Sequence, residues 1–201
     1  MSVAASRTLR EDARLALSDW QAPTAEQFAL QRDYVAHLDA HENAVDRACS
    51  PDHITVSALV FSADFTRVAL LFHPKFDRWL QMGGHCEPGD SSLAAGALRE
   101  AYEETGLASL AIDPDPVVLS RHEVKCWPGG HHLDVQFMAV VAPDDNGVVN
   151  EELVCSHEST AIRWFPVEDV ASVSDESVVD LVTFALDRLD IHRNVTLFTL
   201  K

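Results

Sequence analysis

Three glutamates between residues 100 and 104 are the part of the sequence best suited to chemistry. Glu100, Glu103 and Glu104 lie in a stretch, residues 91–105, that we predict to be a helix. An α-helix turns about 100° per residue, so with Glu100 at 0°, Glu103 falls at about 300° and Glu104 at about 40°. The three carboxylates therefore share one side of the helix. Oxygen ligands in such a set suit Mg²⁺ or Mn²⁺.

Without a cation this acidic cluster is unfavourable. Like charges one turn apart cost roughly 0.2–0.5 kcal/mol per pair, and the helix dipole disfavours anions near its C-terminus. The alternative interpretation of the glutamates alone is a solvated acidic face. The small and apolar residues fall on a separate face that we expect to pack on a sheet, and these are Ala94, Leu98, Ala101, Tyr102 and Thr105.

The loop before this helix favours a ligand site over a solvated face. Residues 83–90 include Gly83, Gly84 and Gly89, which permit unusual backbone angles and the close approach of a ligand. Gly106 follows the helix where a left-handed C-cap is common. The glycine loop, the acidic helix and the terminal glycine are more specific together than any of them alone.

The surrounding sequence predicts strands and helices that would hold this helix against a sheet. The apolar and β-branched runs at 54–61, 68–72, 79–82, 117–126, 133–142 and 162–167 are typical of strands. Residues 1–50 are predicted to be helical, with Thr24 and Gln27 as a capping box. Ser50-Pro51 breaks that pattern, so we predict a helical N-terminal extension over 1–50 and the main domain over 51–201. A last amphipathic helix is predicted at 176–189.

Composition excludes several classes of partner. The formal net charge is −17, which disfavours bulk nucleic acid and anionic membranes because both are bound largely through Lys and Arg. No stretch approaches the roughly 20 apolar residues that span a bilayer, so we expect a cytoplasmic protein. A small phosphorylated substrate is compatible with this charge if a divalent cation neutralises it.

Residues 84–107, GHCEPGDSSLAAGALREAYEETGL, resemble the Nudix box, whose pattern is G-x5-E-x7-R-E-U-x-E-E-x-G-U with U an aliphatic residue. The second half, from Arg99 to Leu107, matches without a gap, although Ala101 is small for the aliphatic position. In the first half, Asp90 replaces the glutamate that pairs with the arginine in the family. Eight residues separate Asp90 from Arg99, whereas the family pattern has seven. Asp90 with one extra loop residue, or Ser91 in the aligned position, are the two alternatives for that role.

This resemblance implies a fold, a reaction and a set of site residues. The fold is a Nudix-like α/β/α sandwich with a mixed sheet, and the resemblance does not reach the N-terminal helices. The reaction is metal-dependent hydrolysis of a diphosphate linkage in a nucleotide-derived small molecule. The metal ligands are then the carbonyl of Gly83 and the carboxylates of Glu100, Glu103 and Glu104. Arg99 belongs with the catalytic residues.

The general base has two candidates under the same resemblance. Family members often place a glutamate six residues before a tryptophan, and Glu158 stands six before Trp164. Glu103 on the helix is the other candidate. Glu151 and Glu152 in the same loop are weaker alternatives.

Further residues have a functional and a structural interpretation. His85 in the glycine loop and Asp134 at the start of a strand are predicted to bind substrate; an ordinary strand-end aspartate is the alternative for Asp134. Cys86 lacks an activating partner and is predicted to be a small buried thiol. The chain has ten histidines, but no paired Cys/His spacing of a zinc motif, and His131 and His132 are predicted to be turn and strand-entry residues.

Two classes of function stay open on these residues. The first is an enzyme, a pyrophosphatase acting on a nucleoside triphosphate, ADP-ribose or a nucleotide sugar. The second is a non-catalytic nucleotide-ligand sensor on the same fold, which loss of the glutamates would favour. All three glutamates are present, which favours the enzyme. The N-terminal helices are predicted to form a homodimer interface, with a lid or an extra packing layer as alternatives.

Overall fold

The computed structural model describes residues 7–74, 76–123, 129–155 and 161–199, and these contain one mixed sheet of eight strands, six of which were predicted. The strands are β1 (His53–Phe61), β2 (Arg67–His73), β3 (Arg78–Leu80), β4 (Met82–His85), β5 (Leu110–Ile112), β6 (Val118–Glu123), β7 (His131–Val141) and β8 (Ile162–Pro166). The helices are α1 (Leu9–Asp19), α2 (Ala25–Ala40), α3 (Leu93–Thr105) and α4 (Glu176–Thr199), with a 3₁₀ turn at Val167–Ser172.

The centre of the sheet is the parallel pair β1 and β7, in which His53 lies opposite His132. β4 pairs antiparallel with the first half of β1, and β2 pairs antiparallel with its end. β5 and β6 pair antiparallel with β7, while β3 and β8 flank β2. This register gathers β4, the start of β1 and the start of β7 at one place in the sheet.

Helices cover both faces of the sheet, as the predicted α/β/α sandwich requires. Alternate residues of a strand point to opposite faces. One face of β1 is apolar throughout and packs in the core that includes residues of α1, α2 and α3, through Ile54, Val56, Ala58 and Val60. On the other face, Leu59 and Phe61 pack with α4. The first half of that second face is polar yet buried, and consists of His53, Thr55 and Ser57.

Helix α3 has the ends that its sequence predicts. The Ser92 hydroxyl caps it by accepting from the Ala95 amide at 3.0 Å, and Gly106 ends it with a left-handed φ of 66°. Ala94, Ala101 and Thr105 are buried, which agrees with the predicted packing face. The buried surface is wider than that face, because α3 presses so closely on β1 that Gly96 and Ala97 are buried as well.

The N-terminal helices pack into the same core as the sheet. The Gln31 side chain donates to the carbonyls of Leu17 and Trp20 at 2.6 and 2.7 Å, which joins α2 to α1. The Tyr34 hydroxyl donates to the Ser120 carbonyl of β6 at 2.9 Å. The boundary at residue 51 and the homodimer stay predictions from the sequence.

Several local predictions differ from the structure. Thr24 caps α2, but the Gln27 side chain does not complete a capping box; it bonds the amide and carbonyl of Leu119 in β6, at 2.7 and 2.9 Å. α4 runs on to Thr199 rather than ending at 189, since no proline or glycine follows to stop it. The short strands β4 and β5 were not predicted. None of the described helices is long and apolar enough to cross a membrane.

Candidate active site

Two glycines bring the loop strand β4 into contact with β1 and α3. A Cβ atom at Gly83 would lie 2.5 Å from the Ser57 Cβ, so a side chain there would collide with β1. A Cβ atom at Gly84 would lie 2.5 Å from an oxygen of Glu100. The backbone of this loop therefore touches the first glutamate of the predicted metal site, as only glycine allows.

Arg99 joins this loop to the helix. Its guanidinium bonds both carboxylate oxygens of Asp90, with Nε to Oδ1 at 3.0 Å and Nη2 to Oδ2 at 3.2 Å. Nη2 also donates to the carbonyl of His85 at 2.9 Å, and the Glu87 amide donates to Asp90 at 2.8 Å. Asp90 thus pairs with Arg99 across the extra residue, and it is Asp90 rather than Ser91 that takes the place of the family's glutamate.

The same guanidinium holds two of the three glutamates. Arg99 Nη1 lies 2.9 Å from Glu100 Oε1 and 3.3 Å from Glu103 Oε2. The Glu100 side chain is 14% exposed and that of Glu103 is 57% exposed. Burial raises the pKa of Glu100, and the charge of Glu103 raises it further, while the bonds from Arg99 oppose the shift. A cation bound nearby would stabilise the charged form of the Glu100 carboxylate, because it would oppose the effects of burial and of Glu103.

Glu104 completes the acidic set from the neighbouring position. One of its carboxylate oxygens accepts from the Gly83 amide at 2.9 Å, so the third glutamate also faces the glycine loop. The set of Glu100, Glu103, Glu104 and the loop backbone offers hard oxygen donors, which fit Mg²⁺ or Mn²⁺. Arg99 contacts Glu100 and Glu103, and the Gly83 amide contacts Glu104. In the described part of the chain, the only group of three His, Cys, Asp or Glu donors within 4.8 Å of one another is a histidine group instead.

His85 lies beside the glutamates, with its ring turned toward the polar half of the sheet. Its ring stacks on that of His53, with centroids 5.2 Å apart. Burial lowers the pKa of His85 to about 4, so its imidazole is neutral at pH 7. If it contacts a substrate phosphate, it does so as a neutral hydrogen-bond donor and not as a cation.

Asp134 is built into the sheet. It is 4% exposed, and its carboxylate accepts hydrogen bonds from Thr55 at 3.0 Å, Ser57 at 2.7 Å and Gln136 at 3.0 Å. Its immediate role is to satisfy the buried hydroxyls of β1. A direct contact with substrate would require the substrate to reach this buried face.

The structure describes Glu103 and Glu151 among the candidates for the general base, but not Glu158. Glu158 lies outside the described residues. Glu151 is engaged elsewhere, since its carboxylate accepts from the Ala63 amide at 2.8 Å and forms an ion pair with Arg67. Among the three glutamates of α3, Glu103 is exposed while Glu100 and Glu104 are partly buried. Cys86 is not a nucleophile at neutral pH, because burial raises the pKa of its thiol to about 12.

Two features of this region were missed from the sequence. Gly96 was not assigned a role, yet a Cβ atom there would lie 2.7 Å from a carboxylate oxygen of Asp90. The histidine group comprises His53, His85 and His132, and its members lie on separate strands. The role of Gly96 could have been suspected from the sequence, because a glycine is unusual inside a predicted helix. No local spacing could have revealed the second.

Comparison with known proteins identifies the family of this chain. The model of the NUDIX domain matches residues 51–182. A NUDIX-family hydrolase from Clostridium perfringens is 23% identical with a TM-score of 0.52, and the match covers 68% of this chain and 97% of that one. A Caenorhabditis elegans Ap4A hydrolase is 21% identical with a TM-score of 0.56, over 68% and 97% of the two chains.

A third similar structure is the NUDIX domain of Shewanella oneidensis NrtR in complex with ADP ribose, 21% identical with a TM-score of 0.51, over 79% and 97% of the chains. A comparison with curated proteins gave no match. The structural likenesses show the shared fold, and the family match extends over most of the chain. With the glycine loop, the Asp90–Arg99 pair and the acidic helix in place, this chain belongs to the Nudix family.

Proposed function

We propose that this protein is a metal-dependent hydrolase that cleaves a diphosphate linkage in a nucleoside diphosphate-linked or nucleoside polyphosphate small molecule. The enzyme class follows from the family, whose enzymes are pyrophosphohydrolases acting on phosphoric anhydrides. The observation that carries the proposal is the Arg99 network, which fixes the glycine loop against the helix that bears Glu100, Glu103 and Glu104. A protein with net charge −17 also needs a cation to hold a polyphosphate.

The residues that would hold the cation are Glu100, Glu103, Glu104 and the carbonyl of Gly83. When bound, Mg²⁺ or Mn²⁺ would neutralise the negative charge that develops on the phosphate oxygens while water displaces the leaving group. Arg99 orients Glu100 and Glu103 through its Nη1 atom, and its bonds to Asp90 keep the loop closed on them.

The reaction needs one proton acceptor. Water forms a bond to phosphorus as the bridging P–O bond breaks, and the proton of the water passes to a carboxylate. We assign this role to Glu103 or Glu158. If it belongs to Glu158, Glu158→Gln lowers kcat at least tenfold, about 1.4 kcal/mol in the barrier. A smaller loss returns the role to Glu103 or to another acid of the same loop.

The test is a substrate panel with Mg²⁺ or Mn²⁺: nucleoside triphosphates, ADP-ribose, NADH, nucleotide sugars and dinucleoside polyphosphates. The wild type should release a phosphate product from at least one of them, and Glu103→Gln and Glu104→Gln should be slower by about two orders of magnitude or more. Equal rates in all three proteins would overturn the metal-site assignment. No product from any substrate would support the ligand sensor instead.

A further inference from the structure

Four histidines lie side by side on one face of the sheet. His53 begins β1 and pairs with His132 of β7, which in turn pairs with His122 of β6. His85 ends β4 and pairs with Thr55, which is on the same face of β1 as His53. The rings are in mutual contact, with centroids 4.9 Å apart for His53 and His132, 5.2 Å for His85 and His132, and 5.3 Å for His122 and His132.

We propose that His53, His85 and His132 form a second metal site, which binds Zn²⁺ and is distinct from the glutamate site on α3. One donor atom from each of the three side chains lies within 4.8 Å of those of the other two. Three atoms so spaced have a point between them that is at most about 2.8 Å from each, and a Zn–N bond is about 2.0–2.1 Å. Ring movements of less than about 1 Å would therefore bring all three nitrogens to bonding distance.

The hydrogen bond of the His53 ring is one that metal-binding histidines commonly make. The Nδ1 atom of His53 lies 3.2 Å from the Cys49 carbonyl, to which only a protonated Nδ1 can donate. This bond leaves the lone pair on Nε2, the arrangement by which a backbone carbonyl orients a metal-binding histidine.

Two of the rings carry buried nitrogen atoms that lack a partner. His53 is 1% exposed, and its Nε2 has no hydrogen-bond partner among the described residues. The Nε2 of His132 is buried and without a partner in the same part of the chain. Buried polar atoms are nearly always satisfied in folded proteins, so a pair of unsatisfied nitrogens in one cluster calls for a ligand. A cation bound to both atoms would satisfy them at once.

The donor chemistry separates this site from the glutamate site. Imidazole nitrogen suits Zn²⁺, whereas carboxylate and carbonyl oxygen suit Mg²⁺ and Mn²⁺. Three protein ligands leave a fourth position for water or another ligand. The two sites meet at the glycine loop, because the His85 carbonyl is bound by Arg99 while its ring belongs to the histidine group.

The test is Zn²⁺ binding to the full-length protein after removal of metal with a chelator. We expect one high-affinity equivalent of Zn²⁺ per chain, and a loss of affinity of about a hundredfold or more in His85→Ala and in His132→Ala. His41→Ala, which removes an exposed histidine of the α2–β1 loop, is the matched control and should bind as the wild type does. Glu104→Gln should also retain Zn²⁺, which separates this proposal from the proposed hydrolase activity.

A measurement on the wild type keeps the proposal testable if the histidine variants do not fold. X-ray absorption at the zinc edge, with one equivalent of Zn²⁺ bound, should show a first shell containing imidazole nitrogen and the outer scattering of imidazole rings. An oxygen-only shell, absence of tight Zn²⁺ binding, or unchanged affinity in both folded histidine variants would each overturn the site.

Discussion

Gly96 lies against the carboxylate of Asp90, and this contact accommodates the chain's departure from the family pattern. Asp90 has a shorter side chain than glutamate and lies one residue further from Arg99, so its carboxylate must come close to α3 to reach the guanidinium. A Cβ atom at position 96 would lie 2.7 Å from Oδ2 of Asp90 and 3.3 Å from a methyl group of Val56. Neither neighbour is free to withdraw, since Asp90 is paired and Val56 is in the core.

Gly96→Ala should therefore destabilise the protein, although alanine is the better helix former by about 1 kcal/mol. We expect a loss of about 1–3 kcal/mol in the free energy of unfolding, from overpacking and from displacement of Asp90. Urea denaturation measures it. Gly89→Ala is the control, because a Cβ atom there would meet nothing within 4 Å. A Gly96→Ala protein as stable as the wild type would show that Asp90 does not need this space.

Among the site residues, the sequence predicts contacts between residues that are close along the chain. It does not predict contacts between residues on different strands. The shared side of the glutamates follows from spacing along one helix, and the Asp90–Arg99 pair was one of the two alternatives implied by the family resemblance. The partners of Asp134 and the grouping of His53 with His132 depend on which strands are neighbours. That register is set by the packing of the whole sheet, so the absence of a zinc motif in the sequence did not exclude a close group of three histidines.

The Asp64 carboxylate bonds residues on both sides of the hairpin between β1 and β2. Asp64 accepts from the Ser62 hydroxyl at 2.6 Å, and from the amide and hydroxyl of Thr66 at 3.1 and 2.8 Å. Phe65 between them has a positive φ of 61°, which a non-glycine residue adopts only when its surroundings enforce it. The bonds from Ser62 and Thr66 lower the pKa of Asp64 to about 2.

This shift predicts a pH dependence with a definite sign. A carboxyl group whose pKa is lower in the folded state stabilises the fold fully above its unfolded pKa, and that stabilisation is lost as the pH falls from 3.8 to about 2. Asp64→Asn should lower the urea midpoint at pH 7, and the difference from the wild type should shrink across that window. Asp145→Asn, on another exposed turn, is the control. An NMR titration that places the wild-type Asp64 midpoint near 4 would contradict the account.

Elements with a strong local pattern were predicted and weak ones were not. β1 and β2 are long apolar runs bounded by a polar turn, and α3 has a capping serine and a terminal glycine. β5 has three residues, too few for a periodic pattern, and it exists because β7 offers an edge to pair with. Gln27 was predicted to complete a helix cap, because the sequence alone does not show that its side chain lies next to β6.

The molecule as a whole is built around a core that the N-terminal helices share. Ala13 and Leu17 of α1 and Tyr34 and Leu38 of α2 are all fully buried, in the same cluster as Ile54 of β1. The predicted boundary at residue 51 divides the chain in sequence but does not divide this core. These helices therefore contribute to the stability of the sheet that carries the site.

Leu38→Ala should destabilise the entire protein by about 2–5 kcal/mol. Because the core is shared, urea unfolding followed by far-UV circular dichroism and by tryptophan fluorescence should give coincident transitions. Phe28→Ala on the same helix is the control, since Phe28 is 55% exposed and should cost much less. An early, separate loss of helix, with the fluorescence transition unchanged, would instead identify residues 1–50 as an independent layer.

The central claim is that the carboxylates of α3 make phosphoanhydride hydrolysis depend on a divalent cation. The most direct measurement is the initial rate of product release against Mg²⁺ concentration, after treatment with EDTA, for the wild type, Glu104→Gln and the exposed control Glu42→Gln. We predict no activity without Mg²⁺, full recovery in the wild type and the control, and a rate at least about a hundredfold lower in Glu104→Gln. Activity that persists in EDTA, or equal Mg²⁺ curves for wild type and Glu104→Gln, would contradict the account.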